Sequence, residues 1–101
     1  MSDPEHLELL RRGVETWNLH RPRWPDLRGE DFSGLDLSGI FLDGAEISDS
    51  LLRGTRLDGA RLQGVFLSGS DLREASLRNS NLYYARLLEA KMSNADLRGQ
   101  T

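Results

Sequence analysis

A large apolar residue recurs at every fifth position over most of the chain. A period of five fits neither an α-helix, which would spread these side chains around its circumference, nor a strand, which would alternate them between two faces. The backbone is therefore expected to turn once in every repeat and to bury these side chains as its structural core. The fifteen residues are Leu27, Phe32, Leu37, Leu42, Ile47, Leu52, Leu57, Leu62, Leu67, Leu72, Leu77, Leu82, Leu87, Met92 and Leu97.

Small residues form a second series, two positions before the large ones. Residues separated by one lie on the same side of an extended segment, so both series are predicted to point into one narrow core. Glycine recurs two positions after most of the large residues, and Asp49, Asn79 and Asn94 take the same position, where a tight corner is expected. The small series is Ala45, Ser50, Thr55, Ala60, Val65, Ser70, Ala75, Ser80, Ala85, Ala90 and Ala95.

Four segments show the repeat unit clearly: residues 60–64 (ARLQG), 70–74 (SDLRE), 80–84 (SNLYY) and 95–99 (ADLRG). They resemble the A(D/N)LXX unit of pentapeptide-repeat proteins, and the resemblance extends over residues 25–101. It implies an all-β solenoid, a right-handed quadrilateral β-helix with four repeats per coil and just under four coils here. The family members that it resembles are chiefly bacterial, so the chain is interpreted as a short bacterial member.

The first 24 residues depart from the pattern. Asp3 and Pro4 are typical of a helix start, and Gly13 is expected to separate two helices. Residues 1–24 are predicted to form an N-terminal helical cap on the β-helix of residues 25–101, as one folding unit. Trp17 and Trp24 are expected to cover the lowest core layer.

The first coil is irregular at its small-residue position, which holds Pro25, Glu30, Leu35 and Ile40. We expect Leu35 and Ile40 to contact the helices, and Glu30 to reach solvent or an arginine of the helices. A buried carboxylate without a partner would be costly.

The outward positions are mostly polar. Four large side chains near the upper end are predicted to form an interaction surface: Phe66, Tyr83, Tyr84 and Leu88. Clustered exposed apolar residues mark contact surfaces, whereas scattered ones are ordinary surface, and that alternative stays open.

Charge is unevenly distributed along the chain. Residues 25–50 hold seven acidic residues and one arginine, whereas residues 51–101 hold eight basic and five acidic residues. The lower coils therefore carry minus six and the upper coils plus three, within a net charge of −3. Such a polarity either orients encounters with a partner or is simply the solvated face of the solenoid.

Residues typical of catalytic, metal-binding or phosphate-binding sites are scarce in the sequence. His6 and His20, the two histidines, lack spaced partners and are expected at the surface, and the glycine spacing does not match phosphate-binding loops. No catalytic, metal-binding or cofactor-binding residue is predicted, and the chain is not expected to be an enzyme.

Two functions remain. The first is a non-enzymatic structural or interaction module with an unidentified protein partner. The alternative follows from the resemblance, because family members that confer quinolone resistance are long acidic rods that mimic DNA and bind type II topoisomerases such as gyrase. Nucleic acid is not expected as a partner, since no basic stripe with interleaved aromatic residues is evident.

The final coil is expected to be uncovered, which favours a homodimer through the C-terminal end. The first 20 residues carry charges in place of the apolar core of a secretory signal, and no stretch approaches the ~20 apolar residues of a membrane span. A cytoplasmic protein without a membrane partner is therefore predicted.

Overall fold

The computed structural model describes residues 2–101, so that Met1 of the predicted helical segment lies outside the described residues. Helix α1 spans Pro4–Arg11 and helix α2 spans Val14–His20. The Asp3 carboxylate accepts a hydrogen bond from the Glu5 N–H, as expected of an N-cap. Gly13 separates the helices with a φ of 110°, which other residues rarely adopt.

Beyond the helices, residues twenty apart pair as isolated parallel bridges. The eleven bridges begin with Asp26 and Glu46 and end with Ser76 and Asp96. Four five-residue repeats therefore separate each residue from the one stacked on it. One residue per repeat pairs in this way, since a corner follows after three or four residues and interrupts any longer strand. In place of continuous strands, each repeat therefore forms isolated bridges of one residue pair.

Each repeat is fixed by the same set of backbone hydrogen bonds. Arg56 donates downward to Leu35 O at 2.9 Å, while Leu57 and Gly59 donate upward to the next coil at 2.6 and 2.8 Å. The Ala60 N–H closes the corner on Leu57 O at 3.0 Å. The pattern recurs along the stack, so most backbone N–H and C=O groups between coils are hydrogen-bonded to each other.

All fifteen corners have a left-handed residue two positions after the large one, with φ between 59° and 76°. This conformation is the mark of a type II turn. Nine of the corners are glycine and three are the predicted Asp49, Asn79 and Asn94. The remaining three were not anticipated from the sequence: Glu74, Tyr84 and Glu89.

The core follows the two predicted series, with a gradient along the stack. The eleven large residues from Leu27 to Leu77 are at most 5% exposed. Leu82, Leu87 and Met92 are half-buried, and Leu97 is 38% exposed, because the described residues place no further coil over them. Leu97 therefore differs from its expected core position.

Buried hydroxyl groups in the small series find acceptors inside the stack. Thr55 donates to Phe32 O at 2.8 Å, and Ser70 donates to Ile47 O at 2.8 Å. These bonds compensate for removing the hydroxyl groups from water. The core thus accommodates serine and threonine where the repeat has alanine elsewhere.

The helices lie against the first coil and satisfy part of its lower edge. The Asp26 N–H donates to His6 Nδ1 at 3.0 Å, and Asp26 O accepts from the Asp3 N–H at 2.9 Å. The Phe41 N–H donates to Asn18 Oδ1, and the Trp17 Nε1–H donates to Phe41 O, both at 2.8 Å. His6 is therefore half-buried between helix and coil, in contrast to the expected surface position.

The two tryptophans have different environments. Trp17 is fully buried in the core, whereas Trp24 is 71% exposed and does not cover the lowest layer. Trp24 lies twenty residues, or one coil, before the corner residue Gly44, and its side chain faces outward. The Trp24 ring lies 3.5 Å from where a Cβ of Gly44 would be.

The irregular first coil agrees only in part with expectation. Ile40 is fully buried in the cluster that contains Trp17, and Leu35 lines a small cavity with Leu10 and Val14. Glu30 accepts a hydrogen bond from the Ser2 hydroxyl rather than from an arginine of the helices.

Candidate interaction surfaces

The predicted interaction surface, here called the upper aromatic surface (Phe66, Tyr83, Tyr84 and Leu88), lies in the upper coils. Tyr83, Tyr84 and Leu88 are 54%, 74% and 77% exposed. The two tyrosine rings are in contact, with centroids 4.3 Å apart and planes tilted by 53°. Three large side chains therefore face solvent within six consecutive residues.

Phe66 differs from the other members of the upper aromatic surface. It is half-buried, and the Arg86 guanidinium lies 5.1 Å from its ring centroid. Arg86 is the residue stacked directly above it by the twenty-residue register. The ring is therefore covered in part by a cation–π contact, and it contributes less free apolar area than the sequence suggested.

The backbone of Tyr84 is unusual for an aromatic residue. Its φ is 62°, in the left-handed region where a Cβ atom costs about 1–2 kcal/mol. The equivalent position one coil below is Gly64, which adopts a φ of 69° without that cost. A bulky side chain thus projects from a corner at which glycine would be easier to accommodate.

A second cluster, not anticipated from the sequence, lies at the bottom of the stack. Arg21, Arg23, Trp24, Asp43 and Gln63 line an open depression with a volume of about 690 Å³, here called the lower basic groove. The sequence signal was the dense run RPRWP at residues 21–25, which the helical interpretation passed over.

Cation–π contacts hold the arginines of this region in place. The guanidinium groups of Arg21 and Arg61 lie 5.0 and 4.3 Å from the Phe41 ring centroid. Arg23 lies 5.9 Å from the centroid of Trp24. Arg61 also donates to Asp43 Oδ2 at 3.0 Å.

The other oxygen of Asp43 is exceptional. Among the buried side-chain nitrogen and oxygen atoms of residues 2–101, Asp43 Oδ1 alone has no hydrogen-bond partner. A buried acceptor without a donor is unfavourable by about 1–3 kcal/mol. Asp43 Oδ1 is thus an acceptor without a donor from the described protein residues, at the edge of the lower basic groove.

Another face of the stack carries a ladder of alternating charges. Asp58 pairs with Arg78 at 3.3 Å, and Asp96 pairs with Arg98 at 2.8 Å, with Arg78 also 3.8 Å from Asp96. The side-chain hydrogen bond from Arg98 lowers the pKa of Asp96 to about 2. These charges compensate one another, so this face is mainly a solvated ion-pair network.

The residues typical of metal sites are not grouped. Across residues 2–101, no three His, Asp or Glu side chains are arranged to hold a metal ion. His6 accepts a backbone hydrogen bond and lies 3.4 Å from the Asp3 carboxylate. Its contacts belong to the junction between helix and coil.

The repeat geometry described above agrees with comparison to known proteins. The family model for pentapeptide repeats matches residues 26–64 and 60–99, in eight copies. The chain belongs to the pentapeptide-repeat family. No curated protein sequence is significantly similar to it.

Two solved structures illustrate the likeness. A trypsin-treated variant of QnrB1, a plasmid-mediated fluoroquinolone resistance protein, is 25% identical with a TM-score of 0.62, over 74% of this chain and 46% of QnrB1. HetL, involved in heterocyst differentiation regulation in the cyanobacterium Nostoc sp. strain PCC 7120, is 28% identical with a TM-score of 0.53, over 73% of this chain and 37% of HetL. The chain thus spans less than half the length of either.

Neither helix α1 nor helix α2 is long and apolar enough to cross a bilayer, and the described residues contain no further helix that is.

Proposed function

We propose that this pentapeptide-repeat protein is a non-enzymatic structural module that binds another protein through the upper aromatic surface. The observation that carries the proposal is Tyr84, which is 74% exposed although its backbone is left-handed. Unfavourable backbone geometry that persists at an exposed aromatic residue is typical of functional positions. Tyr83 and Leu88 extend the exposed area around it.

The finer features of the fold are part of the same proposal. Family membership supports a right-handed quadrilateral β-helix of just under four coils. The hydrogen bonds that Trp17 donates to Phe41 O and that Asn18 accepts from the Phe41 N–H support a capping role for residues 1–24. A rigid prism of this kind would present the upper aromatic surface without rearrangement, which lowers the entropic cost of binding.

A pull-down from a lysate of the source organism tests the interaction. The wild type is compared with Phe66→Ser plus Leu88→Ser and with Tyr84→Gly, and Glu89→Gly is the matched corner control. Loss of one specific protein in the first two variants, but not in Glu89→Gly, is the expected result. Equal recovery from all four proteins would contradict a contact at this surface.

Self-association through the last coil is a further element of the proposal. Leu97 is 38% exposed, and the half-buried Leu82, Leu87 and Met92 accompany it. Exposed core residues and unpaired edge groups favour stacking against a second copy. Size-exclusion chromatography with light scattering is expected to show a dimer that Leu97→Lys dissociates, whereas a strict monomer at high concentration would refute this part.

The second candidate is a DNA mimic that binds a type II topoisomerase. The likeness to QnrB1 and the minus six charge of residues 25–50 favour it. The upper coils, with a charge of plus three, interrupt the continuous negative surface that mimicry requires. A gyrase supercoiling assay tests the DNA-mimic function. Inhibition or protection of gyrase at micromolar concentrations of the protein would support it, and an unchanged supercoiling reaction would reject it.

The predictions of a cytoplasmic location, of no nucleic-acid or membrane partner and of no enzymatic activity remain predictions from the sequence. They fit a module whose contacts are with protein. Fractionation of the source organism with an antibody against the chain would test the location.

A further inference from the structure

We propose that the lower basic groove binds an extended acidic peptide segment with an aromatic side chain, contributed by a partner protein. This site is separate from the upper aromatic surface, and the inference goes beyond the function proposed above. It rests on the open volume of the groove, on its surplus of positive charge and on the exposed ring of Trp24.

The groove is open beside Trp24. Its lining includes Gly44, on which the Trp24 ring packs, and Gln63 of the next coil. The Trp24 side chain is 71% exposed, so much of its ring remains accessible to a ligand.

The height of the groove fits a short extended peptide. Its lining runs from Trp24 to Gln63, about two coils, or roughly 10 Å at about 4.8 Å per coil. An extended chain covers about 3.3 Å per residue, so about three residues would lie within the groove. Trp24 offers an open ring face on which an aromatic side chain of the peptide can pack.

Charge determines the preference for an acidic segment. Arg21 and Arg23 line the groove, and the charge of Asp43, which also lines it, is compensated by its pair with Arg61. The local surplus is notable in a protein whose net charge is −3. Phe41 holds two of the guanidinium groups in position, so their forks are oriented before a carboxylate arrives.

The openness of the groove also restricts the kind of ligand. A small molecule is less suitable, since the groove is wide open and would leave most of such a ligand in water. A long polyanion is disfavoured by the net negative charge of the protein.

The native fluorescence of the chain provides the experiment. Trp17 is fully buried and Trp24 is exposed, so a ligand in the lower basic groove changes the Trp24 emission. The full chain is titrated at low salt with the acetylated and amidated peptide Asp-Glu-Phe-Asp-Glu, with Lys-Lys-Phe-Lys-Lys and with a ten-residue oligothymidine. Saturable binding of the acidic peptide alone is expected, weakened by added salt.

Variants locate the site. Arg23→Glu is expected to weaken binding of the acidic peptide about tenfold or more, because it replaces an attraction with a repulsion. Lys91→Glu, with the same change of net charge on an exposed residue of the upper coils, is expected to bind like the wild type. Trp24→Ala, followed by calorimetry because its fluorescence signal is lost, is expected to weaken binding as well.

Several results would overturn the proposal. They are no binding of the acidic peptide, equal binding of the basic peptide, preferential binding of oligothymidine, and equal losses in Arg23→Glu and Lys91→Glu. Far-UV circular dichroism of each variant separates loss of binding from loss of folding. Because Arg23 and Trp24 are exposed, both variants are expected to remain folded.

Discussion

The lower and upper coils follow the same backbone path with different residues at the corners. From Gly29 to Gly69 eight of nine corners are glycine, whereas the five consecutive corners from Glu74 to Asn94 all carry a side chain. Their φ values differ little, 68° to 76° for the glycines and 59° to 64° for the others. The upper coils therefore adopt the same turns with more backbone strain.

The two regions also differ in how their ends are covered. Below, the helices bind the edge groups of Asp26 and Phe41 and bury Trp17. Above, the large residues pass from fully buried at Leu77 to 38% exposed at Leu97. Strain and exposure thus increase together towards the upper end, where Tyr84 and Leu88 also project. The repeat pattern therefore fixes the path of the chain but not its local stability.

The largest expected effect concerns the core. Leu62→Ala, at a residue 1% exposed, is expected to lower the free energy of unfolding by about 2–5 kcal/mol through lost contacts and a cavity. Leu97→Ala is expected to cost about 1 kcal/mol or less, because its side chain is already partly in water. Urea unfolding followed by circular dichroism measures both, and similar losses would contradict the gradient along the stack.

The next effect concerns the junction with the helices. Asn18→Ala removes the acceptor of the Phe41 N–H and the donor to Gly39 O, at 2.8 and 3.1 Å. We expect a loss of about 1–3 kcal/mol, since backbone groups at the coil edge lose their partners. Leu19→Ala, at a residue 76% exposed, is the control and should change stability little. A loss in the control as large as that in Asn18→Ala would refute the role of the edge bonds.

A smaller effect tests the strain at the corners. Tyr84→Gly and Glu89→Gly are each expected to stabilise the fold by about 0.5–1 kcal/mol, because glycine adopts the left-handed conformation without a Cβ clash. Gly64→Ala is expected to destabilise it by about 1 kcal/mol, although space for the methyl group is open. Destabilisation by Glu89→Gly would show that the corner is not strained.

The smallest effect depends on pH. The side-chain hydrogen bond from Arg98 lowers the pKa of Asp96 from 3.8 to about 2, so the carboxylate form is favoured in the folded state. Its stabilising contribution is present above about pH 4 and is lost as the pH falls towards 2. Asp96→Asn should therefore lower the urea midpoint at pH 7 and flatten its fall between pH 4 and pH 2. Asp49→Asn, which leaves this ion pair intact, is the control, and equal slopes for the wild type and Asp96→Asn would contradict the assignment.

The sequence predicted the corners better than the surfaces. The corner at every fifth residue, the N-cap at Asp3 and the break at Gly13 follow from local rules, and the structure has all three. Trp24 was misplaced because the sequence does not reveal that residue 24 is in register with Gly44 and faces outward. The four-repeat coil implied by the resemblance already places Arg86 over Phe66, but the cation–π contact with the half-buried ring is seen only in the structure.

The spacing of apolar residues by itself determined that this chain turns every fifth residue and buries its leucines in a common column, because no helix or strand satisfies that period. Only the tertiary structure decided which outward residues meet. Side chains twenty positions apart become neighbours through the stacking of coils, and the helices bring Arg21 and Trp24 beside Asp43. The physical reason is that local geometry fixes each corner, whereas the composition of a surface depends on contacts between distant parts of the chain.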